Sequence, residues 1–432
     1  MVHSLGNPLA YVRAVHFAAT IIAAGVVIFD VAVAMPAFIA AAGVIDRDIE
    51  RLRSHWAWLV WVSLAVAAAS GVIWLVLLAA DIYAAPIAQI WRDGGMWTVA
   101  SETRFGQMLL ARLAAAGLLA ASLPMRRRSA DWRLWSAGAI VLAIAVMIGP
   151  AWTGHAGATP GIAGEFPLAA DALHLLAAGA WLGGLPPLAM LLARAWRQKE
   201  PRWATVTAIA VQRFSLLGVI SVGTLLASGV ANSWYEVGSL NNLFVTSYGQ
   251  LVLIKIAIFA AMIALASVNR FYLTPRLATA STVRWLYRTS LAETGLGFAA
   301  VAVVGFLGAM APASHAHHNA AVPEGAAFVH IHSNAGMADV TIVPGRVGTA
   351  RATIRLWNDD FEPLAAQRLT FTLTPPGGQP ITWPAVQAQD GSWQVDIIPL
   401  SRSGNWKAAI DAGLDAKRRL TLDAPIVIEP ER

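Results

Sequence analysis

The chain has 432 residues, 57% of them hydrophobic and only 13% charged, with a mean hydropathy of +0.58. A soluble domain is nearer a quarter charged, so this is the composition of an integral membrane protein with room for one further domain. The net charge of +6 comes mostly from Arg at loop positions, which indicates membrane topology and not nucleic-acid binding. The absence of cysteine excludes disulfides and thiolate metal sites, and the absence of a GxxxxGK[ST] loop argues against direct use of ATP.

A spanning helix needs roughly 20 apolar residues. Eight segments qualify, at about 9–42, 56–83, 105–123, 134–152, 169–193, 214–236, 249–272 and 290–311. The first is expected to be a retained helix, because Met1 to Leu9 lacks a positively charged leader. Arg clusters follow every odd segment: Arg47, Arg51 and Arg53; Arg126, Arg127, Arg128 and Arg133; Arg194, Arg197 and Arg202; and Arg276, Arg284 and Arg288. The stretches 153–168 and 237–248 carry no Lys or Arg. The positive-inside rule then sets both chain ends outside the cytoplasm, and the 18 Trp suit interfacial belts.

Beyond Ala311 the composition changes. Residues 312–326, rich in Ala, Pro and His, form a linker. Short alternating runs follow at Ala338–Val343, Thr349–Trp357, Arg368–Thr374, Trp393–Ile398 and Asn405–Ile410, separated by turn signals such as Asp390-Gly391. The expected fold is an all-α polytopic membrane bundle of about eight helices (1–311), the linker, and an outer all-β sandwich domain (327–432).

Histidines mark the candidate site. An ionisable side chain in hydrocarbon costs a few kcal/mol, so an intramembrane His is a functional candidate. At 1.5 Å rise per residue, His16 and His174 lie about 10 Å and about 9 Å inside the outer ends of their helices. His155 sits just beyond the outer end of the fourth segment. Asp171, His174 and Trp181 share a face of the fifth segment, and Asp171 is spaced to accept from the second ring nitrogen of His174. Arg13, His16, Thr20 and Asp30 lie along one stripe of the first, and Ser221, Thr224, Ser228 and Asn232 along one of the sixth. Such stripes also serve helix packing, and a hydrogen bond between helices is the ordinary alternative for each histidine. His315, His317 and His318 in the linker suit loose capture of a soft or borderline cation. His330 and His332 alternate on a strand and share one face. Toward the cytoplasmic half, Asp30, His55 and Glu293 are the candidates for an ion or proton exit.

Several short pieces resemble the bacterial copper-resistance protein D (CopD) family. They are Thr153-Gly154-His155-Ala156, Asp171-x-x-His174 with Trp181-x-Gly183-Gly184, Gln212-Arg213-Phe214-Ser215, Ser228-Gly229, Tyr248-Gly249-Gln250-Leu251 leading to Lys255, and Asn269-Arg270-Phe271 with Pro275. The outer domain resembles the small YtkA-like β-domain. The resemblance implies a protein of the bacterial inner membrane that moves copper from the periplasm toward the cytoplasm. It implies His155 and His174 as ligands, with no catalytic role, and a periplasmic copper-binding protein as a possible partner. Imidazole suits copper, and without cysteine a His/Met route remains. Two other readings fit the same residues. One is a haem b electron-transfer protein, cupric reductase-like, with His16 and His174 as axial ligands. The other is a membrane anchor that presents the β-domain as a copper-binding module.

Overall fold

The computed structural model describes residues 7–42, 46–83, 85–128, 131–153, 162–198, 200–277, 279–310, 323, 325–333, 336–358, 363–415 and 418–431. The chain divides into two compact units, Met1–Ser314 and His315–Arg432, each with its own core.

The first unit carries eight helical spans long and apolar enough to cross a bilayer: Pro8–Ala41, Arg47–Tyr83, Arg104–Met125, Trp132–Thr153, Glu165–Gln198, Pro201–Val237, Ser247–Arg276 and Ala280–Leu307. Several run well past their apolar stretch. The second starts at Arg47 and the sixth at Pro201, because charged residues continue a helix once it leaves the hydrocarbon. The segment between the second and third spans, which has no apolar run of spanning length, forms two short helices, Ile87–Arg92 and Gly95–Glu102. Large apolar side chains such as Leu118, Val141, Val230 and Phe271 face outward. That surface suits lipid as its solvent, because a helix pairs its interior backbone groups within itself.

The first span is the hub, packing on the second, fourth, fifth and eighth. Its contact with the fifth is a small-residue crossing. Gly25 lies so close to Gly179 and Gly183 that a Cβ on it would fall on their backbone. Gly179 and Gly183 form the GxxxG spacing that lets helices approach in a membrane. The fifth span changes direction at Gly183-Gly184, between helices Ile162–Leu182 and Leu185–Gln198. π-helical turns interrupt the first span at Asp30–Ala34 and the seventh at Val268–Leu273. At the first of these, Asp30 accepts both prongs of Arg53, each at 3.0 Å.

The second unit is a sandwich of two antiparallel sheets. Its strands are β1 (Ala327–Ser333), β2 (Gly336–Val343), β3 (Gly348–Trp357), β4 (Arg368–Thr374), β5 (Ile381–Pro384), β6 (Val386–Gln387), β7 (Trp393–Leu400), β8 (Gly404–Gly413) and β9 (Arg419–Ile428). One sheet has the order β1-β2-β3-β7-β6 and the other β5-β4-β8-β9. Alternating residues such as Val340, Ile354, Phe371, Trp406 and Ile410 fill the space between them.

Candidate functional site

The polar residues of the fifth and sixth spans interlock in two rungs. Asn232 Nδ2 donates to Asp171 Oδ1 at 2.7 Å, and one turn along, His174 Nδ1 meets Ser228 Oγ at 2.9 Å. Asp171 therefore engages Asn232 across the helix interface, and the ring nitrogen expected to face it is taken by Ser228. A turn beyond Asn232 on the sixth span, Glu236 accepts from the Tyr248 hydroxyl of the seventh at 2.7 Å. Lys255, also on the seventh, lies within electrostatic reach of Asp171, His174 and Glu236. Three helices thus enclose two carboxylates, one ammonium and one imidazole.

The hydrogen bonds fix the imidazole. Ser228 has a single hydroxyl proton and donates it to the Thr224 carbonyl at 2.6 Å. Its oxygen must then accept from His174, so Nδ1 carries the ring proton and Nε2 keeps its lone pair. An imidazole oriented through one nitrogen and open at the other is the arrangement of a metal ligand.

His16 has the same tautomer in a different setting. Its Nδ1 lies 2.9 Å from the Ala67 carbonyl and 3.1 Å from Ser70 Oγ, and the Ser70 hydroxyl is spent on the Val66 carbonyl at 2.7 Å. Its Nε2 is buried without a partner among the described residues. The neighbours are cationic and aromatic. Trp74 stands edge-on at 5.6 Å with Arg13 over its ring at 4.8 Å. Arg112 of the third span donates to the Val146 carbonyl and to Thr20 Oγ1, whose hydroxyl caps the His16 carbonyl. The ring hydrogen bonds of His16 come from the second span and that of His174 from the sixth. Among the described residues, no three His, Asp or Glu side chains converge as a metal-holding group.

The other expected residues fall as follows. His155, His315, His317 and His318 lie outside the described residues. His55 is exposed and hydrogen-bonds to the Arg51 carbonyl at 2.8 Å. Trp181 is 3% exposed and stands edge-on to Phe259. On β1, His330 Nδ1 donates to Asp339 Oδ1 at 2.6 Å, and Asp339 also accepts from Trp357 Nε1 at 2.9 Å. The backbone of His332 pairs with that of Met337, whose side chain is fully buried and packs instead of facing solvent. Met310 and Met96 likewise pack into small apolar clusters. Sequence reading missed Glu236 and the convergence of Lys255 on His174. The signal was present: Ser228, Asn232 and Glu236 continue one stripe at intervals of four.

An eight-span bundle with an imidazole–carboxylate cluster between its helices, joined to a β-sandwich, defines a multi-pass membrane protein. The family model "Copper resistance protein D" matches residues 208–307, and the model "Copper resistance protein D-like, N-terminal domain" matches residues 4–165. The chain belongs to the copper-resistance protein D family. It is 28% identical to the copper transport protein CutJ of Bacillus subtilis over 322 residues, covering 72% of this chain and 56% of that one. It is 31% identical to copper resistance protein D of Pseudomonas syringae pv. tomato over 170 residues, 38% of this chain and 54% of that one. With the inner membrane protein YebZ of Escherichia coli it shares 28% identity over 219 residues, 50% of this chain and 72% of that one. The matches thus span little more than half the length of the first two relatives. No solved structure matches the chain.

Proposed function

We propose that this protein moves copper ions across a bacterial inner membrane, from the periplasm toward the cytoplasm, and that His174 is the membrane ligand that receives the ion. The observation that carries this reading is the locked imidazole: Ser228 holds Nδ1–H, Nε2 keeps its lone pair, and Lys255, which acts on His174, also acts on Asp171 and Glu236. Two carboxylates against one ammonium make the cluster net negative when all three are ionised, which favours a cation. Copper is the ion named in two of the relatives, and neutral imidazole is a good copper donor. The Arg-rich connections set the chain ends and the β-domain on the periplasmic side. There the linker histidines, with His330 and His332, would take copper from solution or from a periplasmic copper-binding protein and pass it to His155 and His174. His16, ringed by Arg13 and Arg112, is a less favourable stop for a cation. The haem b alternative needs both imidazoles on one macrocycle, whereas their ring hydrogen bonds lie on the second and sixth spans.

The test is His174→Ala in the full chain, with cellular copper accumulation and copper titration of the purified protein as readouts. Loss of both with the fold retained is expected. Wild-type accumulation and binding in the variant would end the assignment.

A further inference from the structure

A second buried acid lies away from the His174 cluster. Glu293, on the eighth span, is 2% exposed and lines a cleft of about 170 Å³ between the fifth, sixth, seventh and eighth spans. Its partner is Asn269, on the π-helical turn of the seventh span, whose Nδ2 donates to Glu293 Oε1. Asn269 is held in that orientation from behind, because its Oδ1 accepts from the Thr289 hydroxyl at 2.6 Å. The π turn is stabilised in turn by Thr274, whose hydroxyl bonds the Asn269 carbonyl at 2.7 Å. Such turns recur at functional sites because they re-aim a side chain out of the regular helix.

Charge is what is missing. Among the described residues Glu293 forms no ion pair, and no charged group of the first, fifth or seventh span acts on it. The other charged residue on the cleft wall, Arg270, is turned to Ser215 Oγ at 2.6 Å. Elsewhere in the bundle Asp30 faces Arg53, and Asp171 and Glu236 share Lys255. A lone buried carboxylate is costly, and such a group neutralises instead. The remaining wall, with Trp181, Phe214 and Leu286, offers copper no imidazole or thioether. A proton satisfies the carboxylate with no further ligand, and the Asn269 amide, which presents N–H to Glu293, offers a metal ion no oxygen there.

We propose that Glu293 is a proton-binding site. In the resting protein its carboxyl group is protonated, with Asn269 on one oxygen and the proton on the other. It releases that proton to water entering the cleft, leaving carboxylate and hydronium. Trp181 lines this cleft, and His174 lies about 10 Å from it along the fifth span at 1.5 Å per residue. The inference does not rest on the identity of the transported ion, and its test contains no copper.

The experiment is infrared spectroscopy of the full-length protein in lipid vesicles at neutral pH. A protonated carboxyl C=O band is expected in the wild type and is expected to vanish in Glu293→Gln, a neutral variant of the same shape. The band should shift when the protein is made with carboxyl-labelled glutamate and should persist in Glu236→Gln. Should Glu293→Gln fail to fold, the glutamate label and Glu236→Gln still decide. A wild type without the band, a band that ignores the glutamate label, one lost in Glu236→Gln, or one surviving in folded Glu293→Gln would each overturn the proposal.

Discussion

Thr224 takes the only hydroxyl proton of Ser228, and this leaves the imidazole of His174 no choice of tautomer. Ser228→Ala removes the acceptor and leaves a buried N–H unpaired, at a cost of about 1–3 kcal/mol. The ring is then free to turn. Copper affinity at His174 should fall by about 10- to 100-fold, the usual effect of losing the partner that orients a ligand. Competition with a chelator of known affinity measures this, and an unchanged affinity would separate His174 from the metal. A second single-residue effect belongs to the β-domain. Ser392, through its hydroxyl and backbone N–H, and Arg355 hold the Asp390 carboxyl down at about 2, against an ordinary 3.8. A carboxyl lowered on folding stabilises the fold above its unfolded value and loses that contribution as pH falls through its folded value. Asp390→Asn should therefore weaken the domain at neutral pH, and its difference from wild type should disappear between about pH 4 and about pH 2. Hydrogen exchange at the β3–β7 amides reports it.

Among the elements, the first and fifth spans depend on having no side chain where they cross. A Cβ on Gly183 would stand 2.8 Å from Gly25 Cα and closer still to the Ile21 carbonyl, both backbone atoms that cannot swing away. Gly183→Ala should cost about 1–3 kcal/mol or more as an overpacking change, read as a lower unfolding temperature in detergent. Gly223→Ala, where a Cβ meets nothing within 4 Å, should leave that temperature unchanged or slightly raised. The pair Gly183-Gly184 stands out in the sequence, but which glycine faces a neighbouring backbone does not, because that is a property of the crossing. The same limit governs the polar cluster. The stripe through Ser228 and Asn232 is legible from helical spacing, as is the shared face of Asp171 and His174. That the two stripes mesh as Asp171–Asn232 and His174–Ser228 depends on the rotation of one helix about its axis, which spacing does not encode. In the sandwich, β9 was hidden by Pro425. Proline breaks strand patterns in a central position but is tolerated at a sheet edge, and β9 is an edge strand.

At the scale of the whole chain, the eight spans were legible because hydrocarbon thickness imposes a length that soluble helices need not share. The connections add a further regularity. Arg194 reaches Asp48 at 2.8 Å, and Arg202 reaches Asp46 and Asp48, so the connections after the first and fifth spans meet at one end of the bundle. An even number of crossings then returns the chain after the eighth span to the end where it began. In the proposed orientation, which rests on the positive-inside rule, the Arg-bearing end is cytoplasmic and the Glu236–Tyr248 end periplasmic. A reporter fused at Arg432 should score as periplasmic, and one inserted near Lys199 as cytoplasmic. Reversed scores would turn the His174 cluster to the cytoplasmic side and, with it, the direction of transport. Deleting residues 312–432 separates capture from passage. The bundle has its own core, so the truncated protein should remain folded and bind copper at His174, while uptake at low external copper slows. Loss of membrane-site binding in the truncated, folded bundle would instead mean that the β-domain or linker donates a ligand to that site, and the histidines of residues 315–332 would then be the ones to vary.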